Sequence, residues 1–127
     1  HSRLILNTIA DFVYQELSSV GISCQKPQGG FYMICDFSKI LNISRKVNDD
    51  KILCQTILNE VGFAMLPGSD FGLQKGKLLS RIAFVDFNGE EALRLISKDE
   101  SSIHNLDQIC PRIVTGISLL KDWINNQ

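Results

Sequence analysis

Several features that mark specialised chains are missing or sparse in this sequence. Among 127 residues there are two histidines, one tryptophan and three prolines. His1 and His104 stand far apart, so no catalytic triad or histidine-based metal set can be assembled. No run approaches the roughly 18 apolar residues of a membrane-spanning helix. Arg3–Phe12 is interrupted by Asn7, Thr8 and Asp11, and so lacks the unbroken apolar core of a signal peptide. Neither sign of charge dominates: 13 Lys and Arg against 14 Asp and Glu leave a net charge of −1. That balance argues against a dedicated binder of nucleic acid or anionic membrane. Repeats and low-complexity tracts are absent. The four cysteines, Cys24, Cys35, Cys54 and Cys110, include no C-x-x-C pair and no neighbouring histidine cluster, which argues against zinc. They are expected as free buried thiols in the cytoplasm.

What remains is ordinary globular material: 44% hydrophobic and 21% charged residues, with a length that fits one domain. Leu6, Ile9, Val13, Leu17 and Val20 recur at helical spacing and predict a helix over Arg3–Val20, stopped by Gly21. Ile22–Lys26 and Phe31–Phe37 read as strands around the Pro27-Gln28-Gly29-Gly30 turn. Asn48 or Asp49 is placed to cap a second helix whose stripe is Cys54, Ile57, Leu58 and Val61, ending at Gly62. Phe63–Leu66 is a short strand, Pro67–Gly72 a turn-rich loop, and Leu78–Phe87 the clearest strand. Asn88 begins a short helix with Glu91 in capping-box position. After a charged connector, Pro111 suits a first helical turn, and Ile113, Ile117, Leu120 and Ile124 form the last apolar stripe. Ser38–Asn48 and Gly72–Lys77 are the expected mobile parts. Short runs of strands between helices predict a two-layer α+β domain.

Arg81 stands out on physical grounds. Alternation places Leu79, Arg81, Ala83, Val85 and Phe87 on one strand face. A guanidinium among apolar neighbours either sits at an edge, forms an internal salt bridge, or is held as a fork for a carboxylate. Gly29-Gly30 and Pro67-Gly68-Ser69 are turns that also permit close approach of a ligand. Other matches lack their companions. Ser23–Lys26 and Ser118–Lys121 fit Ser-x-x-Lys only, with Lys121 expected to face solvent. Gly72–Lys77 is one residue short of a phosphate loop, and Leu78 replaces its Ser or Thr.

In order along the chain, KPQGGFYMICDFS (Lys26–Ser38), LNEVGFAMLPGSDFG (Leu58–Gly72), LLSRIAFVDFNGEEAL (Leu78–Leu93) and CPRIVTGISLLKDWI (Cys110–Ile124) resemble segments of class I/II aminotransferases. These are pyridoxal-phosphate enzymes of the aspartate aminotransferase fold. The resemblance implies an α+β, two-layer small domain of the fold-type I transferases over residues 3–125. It also implies a short, mostly antiparallel or mixed sheet with helices packed on it. Arg81 matches the arginine that grips the substrate α-carboxylate. Gly29, Gly30, Phe31 and Tyr32 match the segment lining the substrate cleft, and Ser69 and Phe71 the loop that shapes it. The Schiff-base lysine, the acidic partner of the pyridine nitrogen and the phosphate cradle lie upstream in the family. The chain is therefore expected to hold no catalytic, metal or cofactor-binding residue and to be inactive alone. The intact enzyme is implied to be a homodimer using pyridoxal 5'-phosphate on an amino acid and a 2-oxo acid. Alternatives are a related β-lyase or synthase, or a non-catalytic binding module keeping the fold.

Overall fold

The computed structural model describes residues 2–25, 32–74, 76–84 and 87–127. Helix α1 runs Ser2–Ser19, followed by β1 (Ser23–Gln25) and β2 (Tyr32–Asp36). A one-turn helix α2 (Leu41–Ser44) and the longer α3 (Asp50–Val61) lead to β3 (Leu66–Pro67) and a 3-10 turn over Gly68–Phe71. Strand β4 (Leu79–Ala83) precedes α4 (Gly89–Lys98), a second 3-10 turn at Glu100–His104, α5 (Leu106–Ile109) and α6 (Pro111–Asn125).

The sheet order is β1-β2-β4-β3 and every pairing is antiparallel. β4 is thus an interior strand, with Arg81 opposite Ile34 of β2 on one side and Leu66 of β3 on the other. One sheet face carries Met33, Cys35, Ser80 and Ile82, all buried. It joins Ile5, Ile9, Val13 and Leu17 of α1, Leu53 and Ile57 of α3, and the α6 stripe in one core. Burying each of the α6 side chains Ile113, Ile117, Leu120 and Ile124 is worth roughly 1.5–3 kcal/mol. That exceeds the few tenths separating helix propensities, so packing holds this helix in place.

Local chemistry sets the ends of the elements. Asp49 accepts from the Lys51 and Ile52 amides at 2.8 and 3.1 Å, capping α3. Gly62 ends α3 with φ +79°, and a Cβ added there would meet nothing within 4 Å. Gly62→Ala is therefore expected to cost only the left-handed backbone penalty of about 1 kcal/mol. Thermal unfolding should show this as a midpoint lower by about 4 °C.

Several expectations need correction. The α1 stripe begins at Ile5, which is buried, with Leu6 only half-buried. In α3, Leu58 is exposed and Leu53 takes its place in the core. The strand expected at Phe63–Leu66 is confined to Leu66–Pro67, and among the described residues the strand expected over Leu78–Phe87 spans Leu79–Ala83, with residues 85 and 86 outside them. The polar stretch after Ser38 contains α2, pinned by the fully buried Ile43. Asn88 caps α4 by accepting from the Glu91 amide, but the Glu91 carboxylate turns forward to Arg94 at 2.5 and 3.0 Å, so the capping box is only half made. Lys121, expected in solvent, is partly buried and pairs with Glu16, tying α6 to α1.

Candidate substrate-carboxylate site

The sheet face turned away from the helices carries Tyr32 and Ile34 from β2, Arg81 and Ala83 from β4, and Leu66 from β3. Strand alternation forces this arrangement: with Ser80 and Ile82 committed to the core, Arg81 must point the other way. Arg81 therefore occupies a half-buried position at the middle of an open face. Leu79, Arg81 and Ala83 share this face as alternation predicts, and the guanidinium stands among apolar neighbours, while Val85 lies outside the described residues.

Two aromatic rings flank the guanidinium. Its Cζ lies 3.9 Å from the Phe71 ring centroid and 4.9 Å from that of Tyr32. Cation–π contact of this kind holds the flat face of the group and leaves its in-plane N–H donors available for hydrogen bonds. Among the described residues no carboxylate forms an ion pair with Arg81. A guanidinium stacked in this way presents the fork geometry that fits a planar carboxylate through two parallel hydrogen bonds.

The loop that carries Phe71 is fixed from below. Asp50, in the first turn of α3 and 8% exposed, accepts from the Ser69 amide at 2.7 Å and from the Ser69 hydroxyl at 3.0 Å. Gly68 begins this turn against β4, where an added Cβ would stand 2.8 Å from the Leu79 Cβ. Only glycine lets the turn lie this close to the strand. Asp50 to Ser69 to Phe71 is thus a chain of contacts that places a ring over Arg81. The Ser69 hydroxyl is spent inward on Asp50, so Ser69 shapes the loop.

Of the residues singled out in the sequence, the structure brings Arg81, Tyr32, Phe71 and Ser69 to one region. Gly29, Gly30 and Phe31, with the Pro27 turn, lie outside the described residues. Sequence reasoning missed the Asp50 contact. The reading of this helix start stops at the Asn48 or Asp49 cap, and the one available signal was adjacency: once Asp49 caps, Asp50 is free for another partner.

Fold and open face together define a class. The chain has the α+β fold of the small domain of fold-type I transferases: it superposes on the aromatic aminotransferase of Pyrococcus horikoshii with a TM-score of 0.62, over 93% of this chain and 24% of that one, at 18% identity. The sequence model of aminotransferase classes I and II matches residues 1–98, and the chain belongs to that family. It is 33% identical over 91 residues to the mitochondrial alanine aminotransferase of Saccharomyces cerevisiae, and 31% identical over 86 residues to the inactive alanine aminotransferase of the same yeast. These matches cover 67% and 63% of this chain but only 15% and 17% of the two relatives. The family match ends at Lys98, whereas the resemblance in the sequence runs on through the closing helix α6.

Proposed function

We propose that residues 3–125 are the small domain of a pyridoxal-phosphate-dependent aminotransferase, and that Arg81 binds the α-carboxylate of its amino-acid and 2-oxo-acid substrates. One observation carries this reading: a guanidinium stacked on Phe71 at the centre of an open sheet face, with no carboxylate paired to it among the described residues.

Transamination moves an amino group from one amino acid to one 2-oxo acid in two half-reactions. Both substrates present the same C1 carboxylate, so one fork serves both steps of a ping-pong sequence. The work asked of Arg81 is orientation: two hydrogen bonds fix the plane of the carboxylate and so the direction of the bonds at the neighbouring carbon. Phe71 and Tyr32 hold the guanidinium, and Ser69 holds the loop of Phe71. A lining role for Gly29, Gly30 and Phe31 rests on the resemblance alone.

The lysines among the described residues support placing the pyridoxal-phosphate site elsewhere in the enzyme. Lys39, Lys46, Lys51, Lys77 and Lys98 are exposed, and the partly buried Lys121 is paired with Glu16. None has the desolvated pocket that activates a lysine for Schiff-base chemistry. On this reading the cofactor is held by a part of the enzyme outside the chain, which alone is inactive. The exposed apolar side chains Leu66 and Phe71 beside Arg81 support further protein covering that face. A homodimer rests on the resemblance alone. Four free thiols favour a reducing compartment such as the cytoplasm, and among the described residues no helix is long and apolar enough to cross a membrane.

A non-catalytic role is the second reading, favoured by the yeast relative named as inactive. The intact polypeptide, supplied with pyridoxal phosphate, an amino acid and a different 2-oxo acid, decides between them. The expected result is new 2-oxo acid and new amino acid in equal amounts. Release of ammonia would indicate a lyase, formation of a new bond to the amino acid a synthase, and no turnover a binding module.

A further inference from the structure

On the helix-facing side of the sheet, opposite the face of Arg81, two cysteines meet across neighbouring strands. Cys24 of the edge strand β1 is directly paired with Cys35 of β2. Directly opposed side chains on one sheet face are the closest that two strands offer. Here both cysteines turn to the same side, and their sulfurs lie 3.3 Å apart as free thiols. Cys35 is wholly buried, while Cys24 is half-buried on the edge strand. A disulfide needs the sulfurs at about 2.0 Å, so side-chain rotation has only a short gap to close and the strands are already in register.

We propose that Cys24 and Cys35 form a reversible disulfide site, closed by hydroperoxides and reopened by dithiols. Cys24 is the attacking sulfur. The neighbouring Cys35 thiol can donate to its thiolate, which holds the Cys24 thiol below its ordinary range against the opposing effect of burial, while Cys35 is pushed up. The Cys24 thiolate attacks one oxygen of hydrogen peroxide: an S–O bond forms, the O–O bond breaks, and the leaving hydroxide takes a proton to become water. The Cys35 sulfur then attacks the Cys24 sulfur. The S–S bond forms, the S–O bond breaks, and hydroxide leaves as a second water with the Cys35 proton. Two thiols and one peroxide give one disulfide and two waters, with two electrons passing from sulfur to oxygen. A dithiol reverses the closure by exchange, becoming a disulfide itself. The other two cysteines are poor competitors: burial and nearby aspartates push Cys54 and Cys110 up to about 11, so both stay protonated at neutral pH.

The test treats the chain with a modest excess of hydrogen peroxide at neutral pH, then denatures it in iodoacetamide and weighs it. The expected species is about 2 Da lighter than the reduced chain before alkylation and takes up two alkyl groups in place of four. Its peptide map should show Cys24 joined to Cys35, and dithiothreitol should restore all four sites. In Cys35→Ser, which removes the resolving sulfur, Cys24 should stop at the sulfenic acid and be trapped by dimedone. Three results would overturn the site: four alkylated cysteines after peroxide, a bridge involving Cys54 or Cys110, or over-oxidation of Cys24 with no bridge. The wild-type mass and peptide map together are decisive, so the inference does not depend on the variant folding.

Discussion

Arg81→Lys, made in the intact enzyme, is expected to lower kcat/KM for amino acids by about 30- to 140-fold. Lysine keeps the positive charge but has neither the planar fork nor the flat face that stacks on Phe71. Losing one of two charge-assisted hydrogen bonds and the alignment they impose costs about 2–3 kcal/mol, and each 1.4 kcal/mol is tenfold in rate or affinity. The fold should be unaffected, because Arg81 lies on the face away from the core and has no carboxylate partner among the described residues. Steady-state kinetics together with an unchanged melting temperature would establish this split. Unchanged kinetics would remove Arg81 from the site.

Asp50→Ala should act on both stability and substrate binding. The carboxylate is buried and accepts two hydrogen bonds from Ser69, so alanine leaves an amide and a hydroxyl without their acceptor. Removing one partner of a buried, charge-assisted bond costs roughly 1.5–3 kcal/mol. The chain's thermal midpoint should fall by several degrees. Ser69→Ala removes only the hydroxyl bond and should cost less. In the intact enzyme, Asp50→Ala should raise KM more than it lowers kcat, because the Phe71 ring loses its support while Arg81 itself remains. A melting temperature equal to that of the wild type would mean that the Asp50–Ser69 contacts do not hold the loop.

Much of the architecture was legible because single residues with one clear physical preference mark the boundaries. Gly21 and Gly62 both have positive φ, Asp49 and Asn88 cap, and Pro111 opens α6. The α6 stripe was legible because its residues repeat strictly at helical spacing. Period was less informative in α1 and α3, where Leu6 and Leu58 satisfy the helical pattern as well as Ile5 and Leu53 do. Which of them goes inside depends on where the sheet lies, and that is a tertiary fact. For Arg81 the sequence established the residue and its strand. The contents of the opposite face settled its orientation, since Ser80, small and polar, reads as exposed yet is fully buried, with its hydroxyl directed to the Met65 sulfur. Asp50 and the Cys24–Cys35 pair were not legible, because each depends on a partner 19 or 11 residues away that only the folded chain supplies.

Recognition of the α-carboxylate by Arg81 is tested most directly by comparing wild-type and Arg81→Ala intact enzyme on paired donors, an amino acid and the amine that lacks only its carboxylate. The expected result is a loss of about 100-fold or more in kcat/KM for the amino acid, almost none for the amine, and partial recovery of the amino-acid reaction by added guanidinium. Equal losses for both donors would contradict the assignment, because the arginine would then be acting on something other than the carboxylate.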